Sequence, residues 1–157
     1  MKEENRESLD LNDEELFTRG ACHVFASVLI HQIPDQVFEL AMVSSVFPTH
    51  PNCNTQARHI VCSRGEFIVD VRGVRMWSDY VEQETAKLRE WYSRILSDVR
   101  LTRTAITEDD LFTVARDTPR YGPVNRWEHC LEADFLVEAR SRAVSYVSEN
   151  RRRFLIP

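Results

Sequence analysis

The sequence predicts an α+β fold in which helices pack on a small, mostly antiparallel sheet. Three observations carry this. Apolar residues recur at helical spacing near both ends of the chain, and two short β-rich runs in the middle flank a turn. No glycine-rich turn joins a strand to a helix, so neither a doubly wound parallel sheet nor a phosphate or dinucleotide cradle is expected.

Asn12-Asp13-Glu14-Glu15 reads as an N-cap with a glutamate three residues on, so a short helix is expected to start there and to stop at Gly20. From Ala21, the positions Val24, Phe25, Val28 and Leu29 predict a second helix that reaches about Ile33 and ends before Pro34. Val37 to Phe47 reads as a strand running into a loop that contains Pro48 and Pro51. Ala57 to Cys62 and Phe67 to Val71 form the arms of a hairpin around Ser63-Arg64-Gly65-Glu66. Ser78 can cap a long helix whose apolar stripe is Val81, Leu88, Trp91, Tyr92, Ile95 and Val99. Thr107-Glu108-Asp109-Asp110 opens another short helix, and Trp127 to Val147 reads as the last one.

A chain of 157 residues with 43% apolar content can close one core, so residues 1–157 are expected to form a single domain. Residues 1–11 and the stretch 151–157 with Arg151, Arg152 and Arg153 read as polar and basic tails. The net charge of -5 gives no basic footprint for nucleic acid. No run of about 18 apolar residues spans a bilayer, and Met1 to Asn12 does not read as a signal peptide, so a cytoplasmic protein without membrane contact is expected. Cys22, Cys53, Cys62 and Cys130 contain no CxxC pair, and reduced thiols are expected.

One constellation can carry chemistry. If the hairpin turns at Arg64-Gly65, Ser63 faces Glu66, Val61 faces Ile68 and His59 faces Asp70. Opposed residues have Cβ atoms roughly 4.5–5.5 Å apart, close enough for an imidazole to meet a carboxylate. Cys22 opens a helix, where the free N–H groups and the positive end of the dipole favour a thiolate and can hold an oxyanion. A neighbouring imidazolium lowers the thiol further, and a carboxylate fixes the ring's tautomer. Cys22, His59 and Asp70 are therefore the candidate catalytic residues.

Gly20-Ala21-Cys22-His23-Val24-Phe25-Ala26 resembles the G-x-C-x-x-[FY]-A nucleophile helix of transglutaminase-like enzymes. In that group, as in papain-like folds, a cysteine opening a helix precedes a histidine on one strand and an acid on the next. The order Cys22, His59, Asp70 is similar over about residues 18 to 73. The resemblance implies a papain-like or transglutaminase-like core and acyl transfer at an amide of a protein or peptide, and it leaves deamidase, transglutaminase and peptidase open.

Other residues have plainer readings beside sharper ones. A zinc site at Cys22, His23, His59 and Cys62 is disfavoured because strand alternation sends His59 and Cys62 to opposite faces, and no metal or organic cofactor is expected. Gln56, with Asn54 and Thr55, can donate to a substrate carbonyl, and Trp77 can cover the site or anchor a helix to the core. His50 and Cys53 belong to a surface loop, and His31, His129 and Cys130 read as structural. The rival to an enzyme is a non-catalytic protein-binding domain, an inhibitor, immunity or regulatory protein with an enzyme-like core.

Overall fold

A computed structural model describes residues 1, 3–46, 55–91, 99–111 and 132–157. The fold is α+β, with one antiparallel sheet of five strands in the order β4-β3-β2-β1-β5. Its elements run α1 (Glu3–Leu9), α2 (Asp13–Arg19), α3 (Cys22–Gln32), β1 (Glu39–Val46), β2 (Thr55–Arg64), β3 (Phe67–Asp70), β4 (Gly73–Met76), α4 (Trp77–Trp91), β5 (Arg100–Ile106) and α5 (Ala133–Glu149). Short 3-10 turns at Pro34–Gln36 and Arg151–Phe154 follow α3 and α5. Among the described residues no helix is long and apolar enough to cross a membrane.

The start of α2 follows its capping signal: Asn12 accepts from the Glu15 N–H at 2.9 Å, and its amide donates to the Glu15 carboxylate at 3.0 Å. Gly20 ends that helix, with its N–H on the Leu16 carbonyl at 3.1 Å. The chain then turns at once into α3, which is apolar almost all round and accordingly buries Cys22, His23, Val24, Phe25, Ala26, Val28 and Leu29. It lies between the sheet and α5. Phe25 is the hinge of this packing, with ring centroids 5.1 Å from Phe17, 5.6 Å from Phe154 and 6.2 Å from Tyr146. Burying each such side chain contributes about 1.5–3 kcal/mol.

The sheet has a core on each face. Leu40, Ile60, Cys62 and Val69 point into the main core with α3 and α5, while Ala41, Val43, Val61 and Ile68 form a second cluster with Tyr80 of α4. That double burial is why the middle strands read as continuous apolar runs.

Three expectations change. The stretches read as tails are packed: α1 buries Asn5, and Phe154 and Ile156 join the main core although Arg151, Arg152 and Arg153 stay exposed. Arg142 ties the N-terminal segment down, donating to Asp13 at 2.7 Å and to the Leu9 and Leu11 carbonyls at 2.6 and 2.8 Å. The stripe expected to reach Val99 as helix ends, within the described residues, at Trp91; Val99 instead leads into β5, whose Leu101 and Ile106 alternate with exposed Arg100, Thr102 and Thr104. The last helix starts at Ala133, and residues 127–131 of the expected span lie outside the described residues.

Candidate active site

Cys22 is the first residue of α3 and is only 3% exposed. The residue before it, Ala21, offers no side-chain cap, so the first-turn N–H groups around the thiol are left for other acceptors. His23 follows it on the same turn and is also buried.

His59 and Asp70 meet, by a register different from the expected one. The hairpin pairs Arg64 with Phe67, Ser63 with Ile68 and Cys62 with Val69, so the turn is Gly65-Glu66 rather than Arg64-Gly65. Gly65 takes the first central position with φ +57°, a conformation that suits glycine there. One more step of this register puts Asp70 opposite Val61, which leaves His59 as its diagonal neighbour on the same face. The slip moves the partner by two residues and so preserves the face, and His59 Nε2 lies 3.1 Å from Asp70 Oδ2. On the other side of β2 a bulge adjoins His59: Val43 pairs with His59 and Ser44 with Ala57, so Arg58 is the extra residue.

Asp70 closes β3 and is fully engaged. Its Oδ1 accepts from the Arg72 N–H at 2.9 Å, and its Oδ2 accepts from Arg75 Nη2 at 2.6 Å as well as from His59. Burial pushes the carboxyl up, but His59, Arg75 and the Arg72 N–H outweigh it and hold Asp70 below the usual carboxylate range. Burial pushes His59 down, and bonds and charge from Asp70 and Cys22 raise it to about 10. Burial pushes the Cys22 thiol up, yet His23 and His59 bring it from 9.0 to about 6. The shifts favour the thiolate form of Cys22 and the imidazolium form of His59, beside the lowered Asp70 carboxyl and the Arg75 guanidinium.

Cys22 and His59 are coupled through a loosely aligned hydrogen bond as well as through charge. Asp70 occupies Nε2, and among the described residues His59 Nδ1 has no aligned hydrogen-bond partner, although the two groups shift each other's titration. Nδ1 is the nitrogen left for the sulfur. Cys62 shows the opposite environment: it donates to the Ala26 carbonyl at 3.4 Å, and burial followed by the Asp70 charge push its thiol far up. The two buried cysteines thus sit in opposite environments, one thiol lowered by its histidine neighbours and the other raised.

The remaining sequence candidates fall elsewhere. Trp77 starts α4, half-buried, stacked on Tyr80 at 5.7 Å with Arg103 5.2 Å over its ring. The Gln56 backbone belongs to β2 opposite Ser45. His50, Cys53, Asn54, His129 and Cys130 lie outside the described residues. His31 is on the exposed side of α3, bonded to Glu108 at 2.8 Å. Among the described residues no group of three or more His, Cys, Asp or Glu side chains is arranged to hold a metal ion.

Sequence reasoning missed two contributors, Arg75 and Tyr80, and weighed His23 only as a candidate metal ligand. For Arg75 a signal existed. Asp70 pairs with Gly73 across a two-residue turn, so the residue two beyond Gly73 is a diagonal neighbour of Asp70, as His59 is on the other side. No family model, no curated protein and no solved structure matches this chain, so the chemistry of Cys22 is judged from the groups around it.

Proposed function

We propose that this chain is a thiol-dependent acyl-transfer enzyme acting on an amide of a protein or peptide, with the papain-like or transglutaminase-like arrangement that the Gly20–Ala26 motif suggests. The carrying observation is that a helix-opening thiol is coupled to an imidazole whose other nitrogen is tied to a buried carboxylate.

In this scheme the Cys22 thiolate attacks the carbonyl carbon and the new oxyanion faces the N–H groups that open α3. The C–N bond then breaks as the His59 imidazolium gives its proton to the departing amine or ammonia, leaving a thioester on Cys22. Water or an acceptor amine attacks the thioester, His59 takes the proton back, and the thiolate leaves. Asp70 keeps the ring oriented and stabilises its charged form.

Iodoacetamide at neutral pH tests the nucleophile: Cys22 is expected to alkylate faster than Cys53, Cys62 and Cys130, and His59→Ala to remove that advantage. Ammonia release from glutamine peptides, against fragment formation, separates deamidation from peptide cleavage. A Cys22 that reacts no faster than the other thiols defeats the assignment. One observation favours a second reading, a non-catalytic protein-binding domain: Cys22, His59 and Asp70 are 3%, 7% and 3% exposed, as a structural ion network would be. On that reading Cys22 alkylates only on global unfolding, whereas the enzyme reading requires a smaller local opening that leaves the fold intact.

A further inference from the structure

We propose that Arg75 is a positioning residue that sets the Asp70 carboxylate for His59; the inference rests on the acyl-transfer reading above. Its guanidinium does not take the carboxylate in the two-pronged way usual for arginine. The Arg72 N–H occupies Oδ1, so Arg75 Nη2 and His59 Nε2 converge on the single oxygen Oδ2, at 2.6 and 3.1 Å. Arg75 thereby pins the oxygen that orients the imidazole.

Arg75 is itself clamped. Its guanidinium lies 4.8 Å over the Tyr80 ring, Tyr80 stacks on Trp77 at an interplanar angle of 16°, and Arg103 caps Trp77 while donating to the Gly65 carbonyl at 3.0 Å. This cation–aromatic ladder joins α4, β5 and the hairpin turn to the acid of the candidate triad. A salt bridge serving only to join β3 to β4 would not require it. Among the described residues the ionisable groups facing the cluster are Cys22 and His23 from α3, Cys62 from β2, Arg72 from the turn after β3, Tyr80 and Glu84 from α4, and Arg103 from β5.

If Arg75 acts through Asp70, its loss releases Oδ2, weakens the hold on His59 and makes the Cys22 thiolate harder to form. The thiolate's ultraviolet band, titrated against Cys22→Ala as blank, reads this directly without substrate. Arg75→Gln is expected to move the Cys22 midpoint upward by about one pH unit, and to move it no further in an Asp70→Asn background. An unmoved midpoint in folded Arg75→Gln overturns the inference. So does an equal shift in the Asp70→Asn background, which would mark a direct charge effect. If Arg75→Gln does not fold, Arg75→Lys replaces it: a smaller upward shift that disappears with Asp70→Asn supports the role, and no shift overturns it. A wild-type midpoint at the ordinary thiol value defeats the parent reading and the inference together, whereas the Arg75 results defeat the inference alone.

Discussion

Replacing Asp70 by asparagine keeps the side chain's shape and an acceptor for the Arg72 N–H but removes the negative charge between two cations. The side chains of His59 and Arg75 are only 9% and 16% exposed, so water compensates them poorly. Removing one partner of a buried ion pair costs about 3–5 kcal/mol, and the edge exposure of Arg75 places this case near the lower end, about 3 kcal/mol. With a urea slope of about 1.5–2 kcal/mol/M, the unfolding midpoint should fall by roughly 1.5–2 M at pH 7. The pH dependence has a defined sign. Asp70 is held below the usual carboxylate range, so its contribution is present above that range and is lost as pH falls through the lowered value. The gap between wild type and Asp70→Asn should therefore narrow in strongly acidic urea titrations. A midpoint change worth less than about 1 kcal/mol at pH 7 would refute the claim that this carboxylate anchors the cluster.

Two further outcomes are expected. The His59 contribution is full below its ordinary 6.5 and lost as pH rises toward about 10, while that of Cys22 is full above its ordinary 9.0 and lost as pH falls toward about 6. The opposed slopes should leave wild-type stability nearly flat between about pH 6.5 and 9, whereas Cys22→Ala should decline over that window; parallel curves would show that the two groups are not coupled. Gly73 holds φ +104°, and a Cβ there would meet the Arg153 carbonyl oxygen at 3.1 Å. Gly73→Ala should cost about 1–3 kcal/mol and speed amide exchange around Phe154, and an unchanged melting temperature would contradict that packing.

Local signals in the sequence were legible where local chemistry decides the structure. The Asn12–Glu15 capping box, the Gly20 stop, α3 and the two arms of the hairpin follow from the residues themselves. Tertiary placement was less legible. Gly65 marked a turn without saying which central position it fills, and only period-two parity kept His59 on the face of Asp70 despite the shifted register. Nothing local announced that β1 pairs with β5 as well as β2, or that Phe154 and Ile156 return to the main core. Tyr80 acts on Arg75 through a contact that exists only once α4 lies against the sheet, whereas Arg75 reaches Asp70 within the β3–β4 hairpin and His23 adjoins Cys22 in α3. Expected and observed elements parted mostly at such long-range pairings.

The Cys22 sulfur lies inside the main core, so whatever reacts with it must first find the protein open. When closing is faster than chemistry, the observed rate is the intrinsic thiolate rate multiplied by the open fraction; when chemistry is faster, the rate stops rising with reagent concentration and equals the opening rate. Burial of this kind shields a lowered thiol from passing electrophiles and makes its reactivity a measure of how often the core opens.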